Sequence, residues 1–294
     1  MVLTQSTASG NKTEQTPRLS LQYEKIAHDT HTLRSLDWDR SRFDIEFGLR
    51  NGTTYNSFLI RGKKTALLDT SHLKFKDIWF EKLKQEINPL DIDFLIVHHT
   101  EPDHSGLIKY LIDLNPNIEI VGSKVAIKFL EDQVHVPFKS RAVKSGDELN
   151  LGNNSISGIE HKLEFISAPN LHWPDTIFSF DHGTQILYTC DAFGLHYCSN
   201  KLFDEDSKIL SEDFRFYYDC LMGPNARSVI QAIKKIDQLP SVKTIAIGHG
   251  PILNFNTELW LNNYREWSQK RNKGENYAVV CYLSQYGFCD RLSQ

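Results

Sequence analysis

Apolar and polar positions along this chain switch repeatedly between a period of two and a period near 3.6. Arg42-Phe43-Asp44-Ile45-Glu46-Phe47-Gly48 alternates as a half-buried strand does, and the turn pair Asn51-Gly52 follows it. Residues 53–60 and 65–70 predict two more strands, joined by Arg61-Gly62-Lys63-Lys64. Residues 73–86 set Phe75, Ile78, Trp79 and Leu83 at helical spacing, which predicts an amphipathic helix. A four-residue apolar run then makes 93–98 a buried strand. A helix over 106–113, a short strand over 118–121 and a helix over 124–133 come next. This βαβα alternation is the mark of helices packed on a sheet. Residues 137–168 read as short strands punctuated by Gly146-Asp147 and Gly152-Asn153-Asn154, the last strand being 162–168. Residues 176–180 and 185–189 predict a hairpin across Asp181-His182-Gly183-Thr184. Helices fill 206–238 with a break at Gly223-Pro224, a buried strand occupies 244–247, and a helix closes the pattern over 257–270. The expected class is α/β, of the α+β kind.

The two ends read differently. Residues 1–18 are rich in Thr, Ser, Gln and Asn and carry no apolar h-region, so they read as a disordered lead-in without a signal peptide. Residues 19–270 form the main domain, and 271–276 are a polar linker. Beyond it, Tyr277-Ala278-Val279-Val280-Cys281-Tyr282-Leu283 is an apolar strand followed by Ser284, Gln285, Tyr286 and Gly287. A strand, a small polar loop with Gly and a helix start is how a nucleotide- or flavin-binding α/β domain opens. Residues 277–294 are therefore expected to begin a second domain; a last edge strand of the first is the alternative.

Composition excludes several classes. The chain has 294 residues, 40% hydrophobic and 24% charged, which is ordinary for a soluble globular protein. A net charge of -4 and a pI near 6.3 leave no basic footprint for nucleic acid. No run approaches the roughly 18 apolar residues of a membrane helix. Cys190, Cys198, Cys220, Cys281 and Cys289 are odd in number and contain no CxxC, so reduced thiols in a cytoplasmic protein are expected.

The candidate chemistry sits after the strand at 93–98. Its end carries His99, Glu101, Asp103 and His104 within six positions. Gathering two imidazoles and two carboxylates at a buried strand end is costly unless a cation holds them. His99 and Glu101 leave an extended segment on the same side, and Pro102 forces a turn. Three further strand ends carry His172, Asp191 and His249, each near a Pro or Gly. Seven ligands are too many for one tetrahedral zinc and suit two metals sharing a carboxylate, on the order of 3.5 Å apart. A carboxylate-rich set without thiolate fits iron or manganese, with zinc still open. His98 alternates away from His99 and is expected to bond elsewhere. Cys190 is expected to point away from Asp191. Asp69, at a strand end, reads equally as a support for the metal site or an ordinary cap. His28, His31, His72, His135, His161, His182 and His196 read as structural, and Trp173, Phe193 and Tyr197 as core aromatics that could also shape the pocket.

The string His99-Thr100-Glu101-Pro102-Asp103-His104, then His172 in His-Trp-Pro-Asp-Thr, Asp191 nineteen positions on and His249, resembles the metallo-β-lactamase-like domain of flavodiiron proteins, most closely the cyanobacterial diflavin flavoproteins. The resemblance covers about residues 30–270. It implies an αββα sandwich of two mixed sheets flanked by helices. It implies two irons, one at His99, Glu101 and His172 and the other at Asp103, His104 and His249, with Asp191 bridging. Glu101 stands where the hydrolase branch of the superfamily has a second His. The tail resembles the first strand and FMN phosphate loop of the family's flavodoxin domain, with Ser284, Gln285, Tyr286 and Gly287 as part of that loop.

The resemblance implies reduction of O2 to water or of NO to N2O, with electrons from FMN and NAD(P)H, in a homodimer or a hetero-oligomer with a paralogue. This chain stops short of a complete flavin domain, so it is expected to bind iron but not FMN, and to need an external electron donor. Two rival readings are a binuclear zinc hydrolase of the same fold and a non-catalytic assembly subunit.

Overall fold

The computed structural model describes residues 18–43 and 47–273. The lead-in before Arg18 and the tail with Ser284, Gln285, Tyr286 and Gly287 lie outside the described residues.

The chain opens on β1 (Leu19–Ala27) and β2 (Thr30–Asp37), a long antiparallel pair that the hydrophobic pattern does not announce. β2 buries Thr30, Thr32 and Arg34 on one face and Ser35 on the other, so it reads as polar in sequence. The alternating segment 42–48 is not one strand. It forms two-residue strands, β3 (Arg42–Phe43) and β4 (Phe47–Gly48), paired so that Phe43 faces Phe47. β5 (Thr53–Arg61), β6 (Thr65–Leu68), β7 (Phe94–Val97), β8 (Glu119–Gly122) and β9 (Lys139–Ala142) complete the first sheet in the order β1-β2-β5-β6-β7-β8-β9. It is antiparallel up to β6 and parallel from β6 to β9. β10 (Glu148–Asn153), β11 (Glu160–Ser167), β12 (Ile177–Asp181), β13 (Ile186–Cys190) and β14 (Thr244–Ile247) form the second sheet in chain order, parallel only at β13–β14.

Strand alternation splits the core into layers. Ala66, Leu68, Phe94, Ile96 and Val121 of the first sheet pack with Leu163, Phe165, Ile186 and Tyr188 of the second. Their neighbours Leu67, Leu95 and Ile120 face the other way, onto Trp79 and Leu83 of α1 (Lys76–Glu86) and Leu111 of a later helix. The expected helix at 73–86 begins as a 3-10 turn, Leu73–Phe75. The expected helix at 106–113 is instead α2 (Pro102–Ser105) followed by α3 (Ile108–Leu114). Pro102 does not simply turn the chain; it occupies the first helical position, where its missing N–H costs nothing. α4 (Lys124–Val134) is capped by Ser123, whose hydroxyl accepts from the Ala126 amide. On the second sheet lie α5 (Ser207–Tyr217), α6 (Ala226–Ile236) and α7 (Thr257–Lys273), the first two separated by a π turn and Gly223-Pro224. α7 runs into the expected linker, where Arg271 pairs with Asp219 at 2.7 Å. The architecture is the expected αββα sandwich.

One buried histidine ties the two sheets together. His161 on β11 bonds Asp181 through Nδ1 at 2.8 Å, and its Nε2 lies 3.6 Å from Asp29 in the β1–β2 turn. Burial disfavours the imidazolium, but the hydrogen bond and charge of Asp181, then those of Asp29, outweigh it and raise the pKa. A raised folded pKa gives stability that is complete below the unfolded value of about 6.5 and is lost as pH rises through the folded value. We expect His161→Gln to lower stability by roughly 1–3 kcal/mol at pH 6, through the unpaired buried carboxylate. The loss should shrink on the alkaline side, as read by thermal melts across pH; a pH-independent loss would refute the clamp.

Candidate metal centre

The site lies where four strands end. β7 delivers His99 and Glu101 and runs straight into α2, whose first turn carries Asp103 and His104. The loop after β11 delivers His172, β13 ends beside Asp191, and β14 ends two residues before His249. Sheet ends hold ligands well because the strands fix the backbone while the loops aim the side chains.

All seven side chains expected from the sequence meet there, in two clusters of possible ligand atoms: His99, Glu101, His172 and Asp191, and Asp103, His104 and His249. In the first, Glu101 Oε2 lies 3.2 Å from His99 Nε2 and 2.9 Å from His172 Nε2. In the second, Asp103 Oδ2 lies 3.3 Å from His249 Nε2, and Asp103 Oδ1 lies 3.6 Å from His104 Nε2. Asp191 spans both. Its Oδ2 is 3.4 Å from both His99 and His172, and its Oδ1 is 2.9 Å from His104 and 3.2 Å from His249. His99, His104, Asp191 and His249 are sealed from solvent, whereas Glu101 and His172 keep 12% and 13% of their side chains exposed. The open rim is therefore on their side.

The electrostatics are those of a site that wants cations. Burial opposes ionisation of every member, yet the partners outweigh it. Hydrogen bonds to Asp191 and Glu101 raise His172 to about 9, and Asp103 and Asp191 raise His249 to about 10. His99 and His104 are raised too, while Glu101, Asp103 and Asp191 are all lowered by the facing imidazoles. Even so, Asp103 Oδ1 and Oδ2, Asp191 Oδ2 and His249 Nε2 have no well-aligned hydrogen-bond partner. Buried acceptors left this way are costly, and the donor set fits two divalent ions.

A supporting layer orients the ligands. Asp175 is the member that sequence reasoning overlooked. Its carboxylate accepts from His99 Nδ1 at 3.1 Å, from the Thr100 amide at 2.7 Å and from the Thr100 hydroxyl at 2.8 Å. Its signal was a carboxylate three positions after His172. His249 Nδ1 donates to the Thr54 carbonyl at 2.6 Å, a backbone partner that no side-chain pattern could reveal. Asp69 does not reach the clusters; it accepts from the His98 amide and ring, at 2.8 and 2.7 Å, while the other side of His98 meets Ser179. His98 thus points away from the site, as the alternation requires. Trp173 stands edge-on to His99 at 5.0 Å, whereas Phe193 belongs to the core. His196 is more than a remote structural residue: its ring lies 4.8 Å from that of His249, and Thr53 bonds its Nδ1 at 2.8 Å. Cys190 also departs from expectation. The β13–β14 register shifts between Tyr188 and Cys190, where Cys190 takes φ +51°, and its sulfur lies within 4.8 Å of ligand atoms of His104 and Asp191.

Removing the Asp175 charge should loosen His99 without deleting a ligand. Asp175→Asn is expected to weaken metal affinity about tenfold to a hundredfold, measured by chelator competition. An unchanged affinity would remove Asp175 from this role.

Known proteins share the sequence pattern and fold of this chain. Residues 53–250 match the family described as ODP family β-lactamase. A sequence of Nostoc sp. (strain PCC 7120) named as a diflavin flavoprotein is 61% identical over 283 residues, 96% of this chain and 48% of that protein. The diflavin flavoprotein A 1 of Synechocystis sp. is 55% identical over 94% of this chain and 47% of its own length. This chain thus spans about half the length of the curated relatives it matches. Among solved structures, the metal-soaked Flv1 flavodiiron core from Synechocystis sp. superposes with a TM-score of 0.81 at 35% identity, covering 87% of this chain and 63% of that one. The rubredoxin oxygen:oxidoreductase of Desulfovibrio gigas gives a TM-score of 0.78 at 27% identity, covering 84% and 62%. With its two facing clusters on an αββα sandwich, the chain belongs to the flavodiiron family and carries that family's β-lactamase-like core.

Proposed function

We propose that this core reduces molecular oxygen to water, or nitric oxide to N2O, at a pair of irons held by the seven clustered side chains. His99, Glu101 and His172 would hold one iron, Asp103, His104 and His249 the other, and Asp191 would lie across both. The observation that carries this reading is the Asp191 carboxylate, which turns one oxygen to each cluster. Glu101 strengthens it, since a third carboxylate offsets more of the charge of two ferrous or ferric ions than an imidazole would. A pair of irons held by these residues would supply electrons to the substrate two at a time.

The protein's own part is to position and to seal. Asp175 and the Thr54 carbonyl fix the tautomers of His99 and His249, so that each presents Nε2 to the centre. The rim formed by Glu101 and His172 is where a small uncharged molecule and an electron donor could approach. No helix among the described residues is long and apolar enough to cross a membrane. The electron source in this proposal is FMN, fed by NAD(P)H, on a flavodoxin-like domain of which residues 277–294 would be the start, with Ser284, Gln285, Tyr286 and Gly287 as part of its phosphate loop. The flavin would reach the iron centre across a homodimer or a hetero-oligomer with a paralogue, in the cytoplasm.

Elemental analysis after iron reconstitution should give about two irons per chain, falling by at least half in Asp191→Ala. The loaded protein should consume O2 or NO with a chemically reduced flavin donor, and not with NAD(P)H alone. Two zincs with thioester or β-lactam hydrolysis would replace this reading with the hydrolase one; absence of any metal would favour an assembly subunit.

A further inference from the structure

Beside the Asp103, His104 and His249 cluster lies an ion pair that takes no part in the proposed ligand set. Asp37, at the end of β2, is almost wholly buried, and the Lys74 ammonium bonds its Oδ2. Tyr55 donates its hydroxyl to the same oxygen at 3.3 Å. Lys74 Nζ also sits 5.6 Å from the centre of the Tyr55 ring and 5.8 Å from that of Phe75. Tyr55 is fully buried, and its ring meets His249 edge-on at 5.5 Å and His72 at 5.6 Å. One aromatic ring therefore separates the ion pair from a side chain of the second cluster. The charge of Asp103 is felt at both Tyr55 and Lys74, so the layer is not screened from the centre. Arg40 is the other cation near this layer, acting on Tyr55, His72 and Lys74.

An ion pair with a buried carboxylate and a half-buried ammonium is an expensive way to hold two elements together, because desolvation cancels much of the attraction. Here β2 and the 3-10 turn already pack through the apolar core around Tyr55 and Phe75. The pair does, however, set two opposite charges on the far side of the Tyr55 ring from His249. We propose that Asp37 and Lys74 act through Tyr55 as positioning residues that set the reduction potential of the metal held by Asp103, His104 and His249. This rests on the diiron reading above. A negative charge near the centre stabilises the ferric state and lowers the potential; a positive charge raises it.

The two single neutralisations therefore have opposite signs. Lys74→Met strips the cation from a buried carboxylate, and the potential of the iron-loaded protein should fall. Asp37→Asn leaves the ammonium uncompensated while keeping an acceptor for Tyr55, and the potential should rise. The double variant should return towards the wild-type value, and Lys74→Arg should stay near it. The measurement is a redox titration of iron-reconstituted full chain at neutral pH, followed by the EPR signal of the half-reduced centre, with iron content per chain determined alongside. Opposite shifts that cancel in the double variant support the proposal, because packing damage would move both single variants the same way. Shifts of one sign, or none, with two irons still bound would overturn it while leaving the diiron reading standing. A wild-type chain that retains no iron after reconstitution would remove both.

Discussion

Seven ionisable side chains share one mostly buried pocket, and the Asp191 carboxylate is the point at which their charges are balanced. Burying three carboxylates and four imidazoles together is prohibitive unless each faces an opposite charge. Asp191 faces all four imidazoles, two with each oxygen. The remaining misfit, carboxylate oxygens and ring nitrogens with no aligned partner, is concentrated on Asp103, His104, Asp191 and His249. A pair of divalent cations answers that misfit in a way that protons only approximate.

The scaffold exists to hold this pocket at the join of its layers. The two sheets supply β7, β13 and β14 as rigid carriers, and the αββα layering buries both faces of each strand, so the carriers do not flex. Partners around the ligands then lock orientation: Asp175 on His99, the Thr54 carbonyl on His249, and Asp69 on the neighbouring His98. Each uses a strand or loop far away in sequence. Loosening Asp175 or the Thr54 contact loosens a ligand without touching the metal set itself, which is why these supporting residues are as informative as the cluster.

The asymmetry between the two halves follows from the same layout. Glu101 and His172 sit at the open rim, while His104 on α2 and His249 are buried, the latter against aromatic rings that include Tyr55 and Phe43. The sealed half sits nearer the Asp37–Lys74 pair and Arg40, in a medium where charges act over longer distances than in water. The exposed half meets solvent and whatever docks there. One fold thus gives two chemically related clusters different surroundings.

Much of this was legible in the residues themselves. The helical spacing of Phe75, Trp79 and Leu83, the apolar run before His98, and the Gly and Pro punctuation after each ligand strand are local signals, set by backbone geometry and side-chain period. The ligand types are equally local, since chemistry resides in the side chain. What remained hidden depended on distance through space. The β1–β2 pair was missed because β2 buries Thr, Ser and Arg, which look like surface until a neighbouring strand covers them. Pro102 starting a helix, and Cys190 turning towards the centre, came from the packing of α2 and the register shift against β14. Asp175, the Thr54 carbonyl and the His196 contact were set by which loops the two sheets bring together. Sequence by itself determined the donor atoms and those elements whose period is visible locally, because both are properties of a short stretch of chain. Only the tertiary structure decided the pairing of those donors, their burial and the charges around them, because each is a relation between residues tens to hundreds of positions apart.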